Sequence, residues 1–496
     1  MRQRFEQQST LGIVQISEVT FPLRSRDEMP AVLKGLQQIF ITPELNQKIF
    51  SILEEKVCGN KKRTGRPGMD LWHILVLAVV RHALDTNWDK LEDLANNHHT
   101  LRKILGVHAE SFVIDEDKIF GYQTILDNVS LLDEETLMNI NLIVSQYGHK
   151  LVKKKEEDEL RLKTDSFVLP TNVHFPTDLN LLWDALRKCL DTVEKLGESV
   201  ELKNWRKVKS IRRNIKRLFR SASQQVFGLG KKNEAQVFST VKAYLHEGKK
   251  LQLRFEEIFK TLICLDPVVM ILLTELQTYN EYVKKQIDLA ERRLLMGEVI
   301  PAEEKIHSIF EPHTEMIKKG KLHPNIELGH MLLITSEQNN FIVDYFVMEN
   351  EKDAAQVRPL TERILKNIPN KKVHSHSFDK GFYSKENYEI LLQAGVENVI
   401  LPKKGKRNKE EEARENNKTF KTLRNAHSAV ESNINMLEHH GLGRCPDKGL
   451  KGYKTYVGLC VLAYNLHLIG NFLLAKEKEK EQKRKKQRNE YYRQAA

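Results

Sequence analysis

Hydrophobic positions along the chain recur first at helical spacing, then alternate, then return to helical spacing. Residues 27 to about 150 read as helices: Asp70 to Leu84 has a strongly apolar interior, and the shorter Asn87–Asn96 and Thr100–Leu105 follow it. Arg161 to Leu169 is a short alternating run that stops at Pro170, which predicts a strand. A long helical stretch then fills about 179 to 300. Strand signals resume with Gly329–Thr335, the polar turn Glu337–Asn340 and Phe341–Met348, together a hairpin. A helix over Ala354–Ile368, a strand over Val373–Asp379, a helix over Lys385–Ala394 and a strand over Asn398–Pro402 complete the alternation. Ala426, Val430, Ile434 and Leu437 then recur as the apolar stripe of one more helix.

The element order is strand, interruption, strand, strand, helix, strand, helix, strand, helix. It predicts an α/β fold: a ribonuclease H-like mixed sheet flanked by helices, with an N-terminal helical domain and a long helical insertion after the first strand. The expected divisions are a helical domain at 1–150, a catalytic domain at 151–475 carrying the insertion 179–300, and a charged tail at 476–496.

Three acids fall where such a core keeps metal-binding carboxylates. Asp165 lies in the first strand, Asp379 closes the Val373 strand, and Glu431 flanks the stripe of the last helix. Taken alone, each has an ordinary reading as a turn former, a cap or a polar flank; the order of elements around them is what lifts the set. Hard oxygen ligands suit Mg2+ or Mn2+, and two such ions about 4 Å apart can activate a water or a DNA 3′-hydroxyl and stabilise the leaving oxygen. Asp178 reads as a helix cap, and Asp344, in mid-strand, as part of a solvated face.

Composition narrows the partner class. The 496 residues carry 79 Lys plus Arg against 67 Asp plus Glu, a formal charge of +12, which favours a polyanion. Lys61, Lys62, Arg63 and Arg66 form a Gly/Pro-punctuated basic arm before three short helices, a pattern suited to a helix-turn-helix-like DNA module. Lys403, Lys404, Lys406 and Arg407, just past the last strand, are candidate phosphate contacts, and residues 203–217 form a basic helical face. The five cysteines show no CxxC, and the pairs His98-His99 and His439-His440 lack ligand spacing, so a reducing interior without structural zinc is expected. No secretory leader is evident. The uncharged stretch 457–475 is long enough to span a membrane, but Asn465, His467 and Asn471 interrupt it, so a helix buried against the sheet is expected.

Several segments together resemble the insertion-sequence DDE transposases of the ISNCY type and near relatives. They are Lys163–Ser166, Thr171–Asp178, Ser308–Thr314, Ile326–His330, Phe378–Asn387, and Glu431 leading into Gly441–Cys445 and Lys448–Tyr453. The resemblance implies a triad at Asp165, Asp379 and Glu431 that holds Mg2+ or Mn2+, cleaves at an element's ends and joins the freed 3′-hydroxyl to target DNA. It also implies double-stranded DNA as partner, a homodimer on that DNA, and a cytoplasmic, nucleoid-associated protein of a prokaryotic cell. Two alternatives share these residues: a ribonuclease H-like nuclease without strand transfer, and an inactive DNA-binding derivative. Related families often place an Arg four residues before the final Glu and a Lys seven after it; here those positions are His427 and Glu438, so no phosphate-contact role transfers to them.

Overall fold

The computed structural model describes residues 2–7, 14–59, 68–107, 119–152, 159–230, 233–262, 265–318, 325–368 and 371–495. Seven helices come first: α1 (Met29–Ile41), α2 (Pro43–Val57), α3 (Leu71–Ala83), α4 (Trp88–Asn97), α5 (His99–Leu105), α6 (Tyr122–Val129) and α7 (Glu134–Val152). Strand β1 (Leu160–Pro170) precedes four long helices, α8 (Asp178–Ser199), α9 (Val208–Phe227), α10 (Glu234–Thr261) and α11 (Pro267–Leu294). Then come β2 (Glu315–Lys318), β3 (Ile326–Ser336), β4 (Ile342–Val347), α12 (Asp353–Asn367), β5 (Val373–Phe378), α13 (Lys385–Gln393) and β6 (Asn398–Ile400). The chain ends with α14 (Lys409–Asn416), α15 (Lys418–Ala426), α16 (Ala429–Leu437) and α17 (Gly449–Ala495). Contacts divide it into two compact units, Met1–Asn172 with Ile317–Ala496, and Val173–Met316.

The first unit is built on a six-stranded mixed sheet of order β2-β3-β1-β5-β6, with β4 also paired to β3. β1 is antiparallel to β3 and parallel to β5, which is parallel to β6. Side chains alternate across a strand, so β1 serves both faces. Leu160 and Leu162 join Val357, Leu360 and Ile364 of α12 and Leu391 of α13 in one core, while Phe167 and Leu169 join Val430 of α16 and Tyr453, Val457, Val461 and Tyr464 of α17 in another. Helices therefore cover both faces of the sheet.

Residues 1–150 do not stand apart from the sheet. Leu459, Leu462, Ala463, Leu466 and Ile469 of α17 share one core with α1, α3 and α7, because a segment that is apolar all round needs neighbours on every side. The approach to α1 is close enough to demand glycine: an ideal Cβ at Gly470 would stand 1.7 Å from the Ala31 carbonyl oxygen, and one at Gly35 2.3 Å from that of Leu466. All residues of α3 are buried, so this helix is a core element and offers no face to a DNA groove. The arm residues Lys61, Lys62, Arg63 and Arg66 lie outside the described residues.

α17 is the described helix long and apolar enough to cross a membrane, and 72% of its apolar window is buried inside the protein. Two of its polar interruptions, Asn465 and His467, are satisfied there, and Asn471 is exposed. The Asn465 amide bonds the backbone N–H and carbonyl of Ile342 at 3.0 and 2.9 Å and donates to Asn141 Oδ1 at 2.7 Å, completing the start of β4 much as a neighbouring strand would. His467 Nδ1 meets His440 Nε2 at 2.9 Å, so one histidine of the 439–440 pair is a core residue. The helix also runs on through Lys476 to Ala495 in place of a separate tail, with Glu477 paired to Lys34 of α1 at 2.7 Å.

The second unit is a four-helix assembly with its own core, including Leu186 and Leu190 of α8, Ile215 of α9, Tyr244 and Phe255 of α10, and Val283 and Ile287 of α11. Thr177 and Asn180 form a reciprocal capping box at the start of α8. Asp178, one residue inside, does not cap; it pairs with Arg293 at 2.9 Å. On basic α9 only Val208, Ile215 and Ala222 are buried, and Arg212 is already held by Asp191 and Glu194 at 2.6 and 2.8 Å.

Candidate active site

The site grows from strand register. Lys163 and Thr164 of β1 lie beside Ser377 and Phe378 of β5, so one step further along two parallel strands Asp165 stands beside Asp379. Asp379 directly follows Phe378, the last residue of β5, and precedes the short 3-10 turn Lys380–Phe382, which leaves it at the strand's lip.

The third acid arrives on a helix laid across the strands. Ser377, Lys163 and Ser336 occupy one row over β5, β1 and β3. His427 meets Ser377 Oγ at 3.0 Å, and Asn433 donates to Ser336 Oγ at 2.9 Å. The segment from His427, in the turn before α16, to Asn433 of α16 therefore crosses from β5 to β3, with Glu431 between its two anchors. Buried Val430, packed with Phe167 and Leu169, holds it down. Gly441, with φ of 101°, turns the chain from α16 toward α17 where an added Cβ would meet the Tyr456 hydroxyl at 2.5 Å.

Electrostatics tie the acids together. Burial pushes the Asp165 carboxyl up to about 6, and the charges of Asp379, Asp353 and Glu431 add to the rise against a 2.8 Å bond from the Ser166 N–H. Among the described residues, no Lys or Arg forms an ion pair with Asp165, Asp379 or Glu431. Carboxylates are the oxygen ligands a hard divalent ion takes, but among the described residues the ligand oxygens of these three acids do not all lie within 4.8 Å of one another.

Asp353 is the residue the sequence did not disclose. At the head of α12 it reads as an ordinary first-turn acid. Only the fold shows that Ser166 Oγ donates to its Oδ1 at 2.8 Å and that its charge reaches Asp165. His427 is also part of the surroundings. Burial holds its imidazole down at about 4, neutral at physiological pH, although the Asp379 charge pulls the other way.

Other sequence candidates fall elsewhere. Asp344 is buried, not solvated, and is clamped by Arg363 of α12 at 3.0 and 2.8 Å, so its charge is spent on packing α12 against the sheet. Lys403 is paired with Glu411 at 2.7 Å and Arg407 with Glu415 at 2.9 Å, which neutralises much of their charge, while Lys404 is exposed. Glu159, His374 and Glu397 place ligand-type atoms within 4.8 Å of one another at the opposite end of β1 and β5. There the Lys372 ammonium already pairs with both glutamates and occupies the place of a cation.

Among known proteins, residues 303–466 match the family model described as transposase DDE domain. No curated protein and no solved structure matches the chain. The matched span holds Asp379 and Glu431, whereas Asp165 lies upstream and joins them through the β1–β5 register. Domains of this family work with divalent metal ions on DNA. The segment that carries Asp379 and Glu431 is thus similar to the transposase DDE domain, the family whose motifs the sequence resembles.

Proposed function

We propose that the protein is a DNA transposase of an insertion sequence, with Asp165, Asp379 and Glu431 holding two divalent ions, Mg2+ or Mn2+, at the lip of a ribonuclease H-like sheet. The observation that carries this reading is the buried Asp165 carboxyl set among the charges of Asp379 and Glu431 without a described cation to offset them. The strand order β4-β3-β1-β5-β6, antiparallel up to β1 and parallel beyond it, supports the fold.

The metal pair, when bound, lowers the pKa of an attacking water or 3′-hydroxyl and stabilises the departing oxygen. The protein's part is placement. β1 and β5 are locked in register, so the two aspartates have little freedom, and α16 brings Glu431 across on a helix anchored at Ser377 and Ser336. Lys404 and Lys406 lie on the loop after β6 and are available to a phosphate backbone, with the arm 61–66 a second source of charge. Joining two element ends calls for two copies of the chain on DNA.

The test replaces Asp165 and Asp379 with Asn, and Glu431 with Gln, and follows cleavage of element-end DNA with Mg2+. Each substitution is expected to cut the rate by more than about 100-fold, and full activity in any one removes that residue from the site. A joining assay with a precut 3′ end separates a transposase from a nuclease that cuts without strand transfer.

A further inference from the structure

The long helices of the second unit carry charge in two different ways. α8, α10 and α11 interleave Asp and Glu with their lysines and arginines. α9 holds six cations, Lys209, Arg212, Arg213, Lys216, Arg217 and Arg220, and no acid. Among the described residues, Arg212 is the one of the six in an ion pair, held by Asp191 and Glu194 of α8.

Helical spacing gathers the others on one side. Lys209, Arg213, Arg217 and Arg220 follow at intervals of four, four and three residues and so form a single stripe along α9, with Lys216 beside it. All five are exposed; Lys216 lies over the Trp183 ring, 6.0 Å from its centre, and Arg217 gives one of its donors to Asn214 Oδ1 at 3.1 Å. The opposite side carries Val208, Ile215 and Ala222 into the unit's core. There Phe219 stacks on Trp183 of α8 at 5.8 Å and meets Tyr244 of α10. The stripe is therefore presented by a helix that is held along its length.

Like charges three and four residues apart oppose one another on a helix, and elsewhere an acid relieves them, as Glu481 does for Lys485 on α17. At the head of α9 no side chain caps the first turn and no acid lies in it, while Lys207 and Lys209 add charge at the positive end of the helix dipole. The result is one uncompensated positive field along a line, which an anion with linearly repeated charge neutralises. From Lys209 to Arg220 the stripe runs about 16 Å, enough to reach phosphates on both borders of a minor groove about 6 Å wide.

We propose that the outer face of α9 binds the phosphate backbone of duplex DNA through Lys209, Arg213, Arg217 and Arg220, without regard to base sequence. The inference rests on the reading of the protein as an enzyme that acts on DNA and adds to it a binding surface in the helical insertion. Contacts of this kind position a protein on the duplex and leave sequence to other groups.

The experiment is fluorescence anisotropy of the full-length protein with duplex DNA of about 30 base pairs in EDTA, at salt between about 50 and 200 mM. Arg213→Gln, Arg217→Gln and Arg220→Gln together are expected to weaken binding about tenfold or more and to lower the slope of log K on log salt by about 3, equally for unrelated sequences. Lys at the same three positions keeps the charge and is expected to keep most of the affinity. Lys260→Gln, Lys284→Gln and Lys285→Gln remove equal charge from exposed positions of α10 and α11 and are expected to leave the slope nearly unchanged. On wild type, bound DNA is expected to shield Arg213, Arg217 and Arg220 from phenylglyoxal. An unchanged slope in the triple Arg→Gln variant, an equal loss in the lysine control, or arginines that react alike with and without DNA overturns the role of α9 and leaves the transposase reading standing. Shielding by duplex RNA or anionic vesicles but not by duplex DNA overturns DNA as the partner of this face. Wild type that binds no duplex DNA overturns both readings, and the shielding measurement decides the matter even if a variant fails to fold.

Discussion

Replacing Asp165 with Asn should make the metal-free protein more stable while removing its response to divalent ions. The structure sets the size. Burial, joined by the charges of Asp379, Asp353 and Glu431, raises this carboxyl from an ordinary 3.8 to about 6. A folded-state pKa above the unfolded value means that the folded chain holds the proton more tightly. Ionisation therefore costs stability: nothing is lost well below pH 3.8, the loss grows between pH 3.8 and about 6, and it is complete above that. Two pKa units correspond to about 3 kcal/mol at pH 7 and to less than about 1 kcal/mol at pH 4. Asn is nearly isosteric, keeps an oxygen for the 2.8 Å bond from the Ser166 N–H, and carries no charge. Urea unfolding in EDTA should therefore show the variant more stable by about 2–3 kcal/mol at pH 7, with the gap nearly closed at pH 4. Added Mn2+ should raise the wild-type midpoint and leave the variant's unmoved, since a ligand stabilises only the state that binds it. A variant that is no more stable than wild type at pH 7 in EDTA, or a gap independent of pH, would refute the argument that Asp165 is kept at a cost to folding.

Three further outcomes are expected. Asn465→Leu strands the Ile342 N–H and one Asn141 oxygen at the start of β4, at about 1–3 kcal/mol for each stranded group, read by urea unfolding. Gly470→Ala puts a methyl group where only 1.7 Å separates it from the Ala31 carbonyl, so α1 and α17 must part; a loss of about 1–3 kcal/mol or more is expected, and an unchanged melting curve would contradict the close crossing. Lys372→Met withdraws the ammonium from Glu159 and Glu397 and leaves them with His374 as an open donor set, so calorimetry should find Co2+ or Zn2+ uptake in the variant that is absent with Lys372 in place.

What could be read along the chain was whatever has a local cause. The alternation of Arg161–Leu169, the hairpin around Glu337–Asn340 and the stripe Val430, Ile434, Leu437 mark β1, the β3–β4 turn and α16, since period and turn chemistry act within a few residues. The acids on those elements could be named for the same reason. The expected buried helix over 457–475 is also there, because a run with no charge has nowhere else to go.

Other features depended on neighbours distant in sequence. Nothing near Asp344 signals that Arg363 will reach it, so a buried ion pair passed for a solvated face. Lys403 and Arg407 look like free cations until α14 folds back with Glu411 and Glu415. The N-terminal helices cannot be told from a separate domain until α17 is seen inside their core.

Local pattern thus determined the kind of each element and singled out three candidate acids on them. Tertiary structure alone decided which groups face one another: Asp353 beside Asp165 through Ser166, and His427 against Ser377 of β5. The reason is physical. Backbone preference and hydrophobic period are short-range and leave their mark in neighbouring residues, whereas the protonation, pairing and donor set of a buried group depend on charges and dipoles that the chain gathers only when it closes.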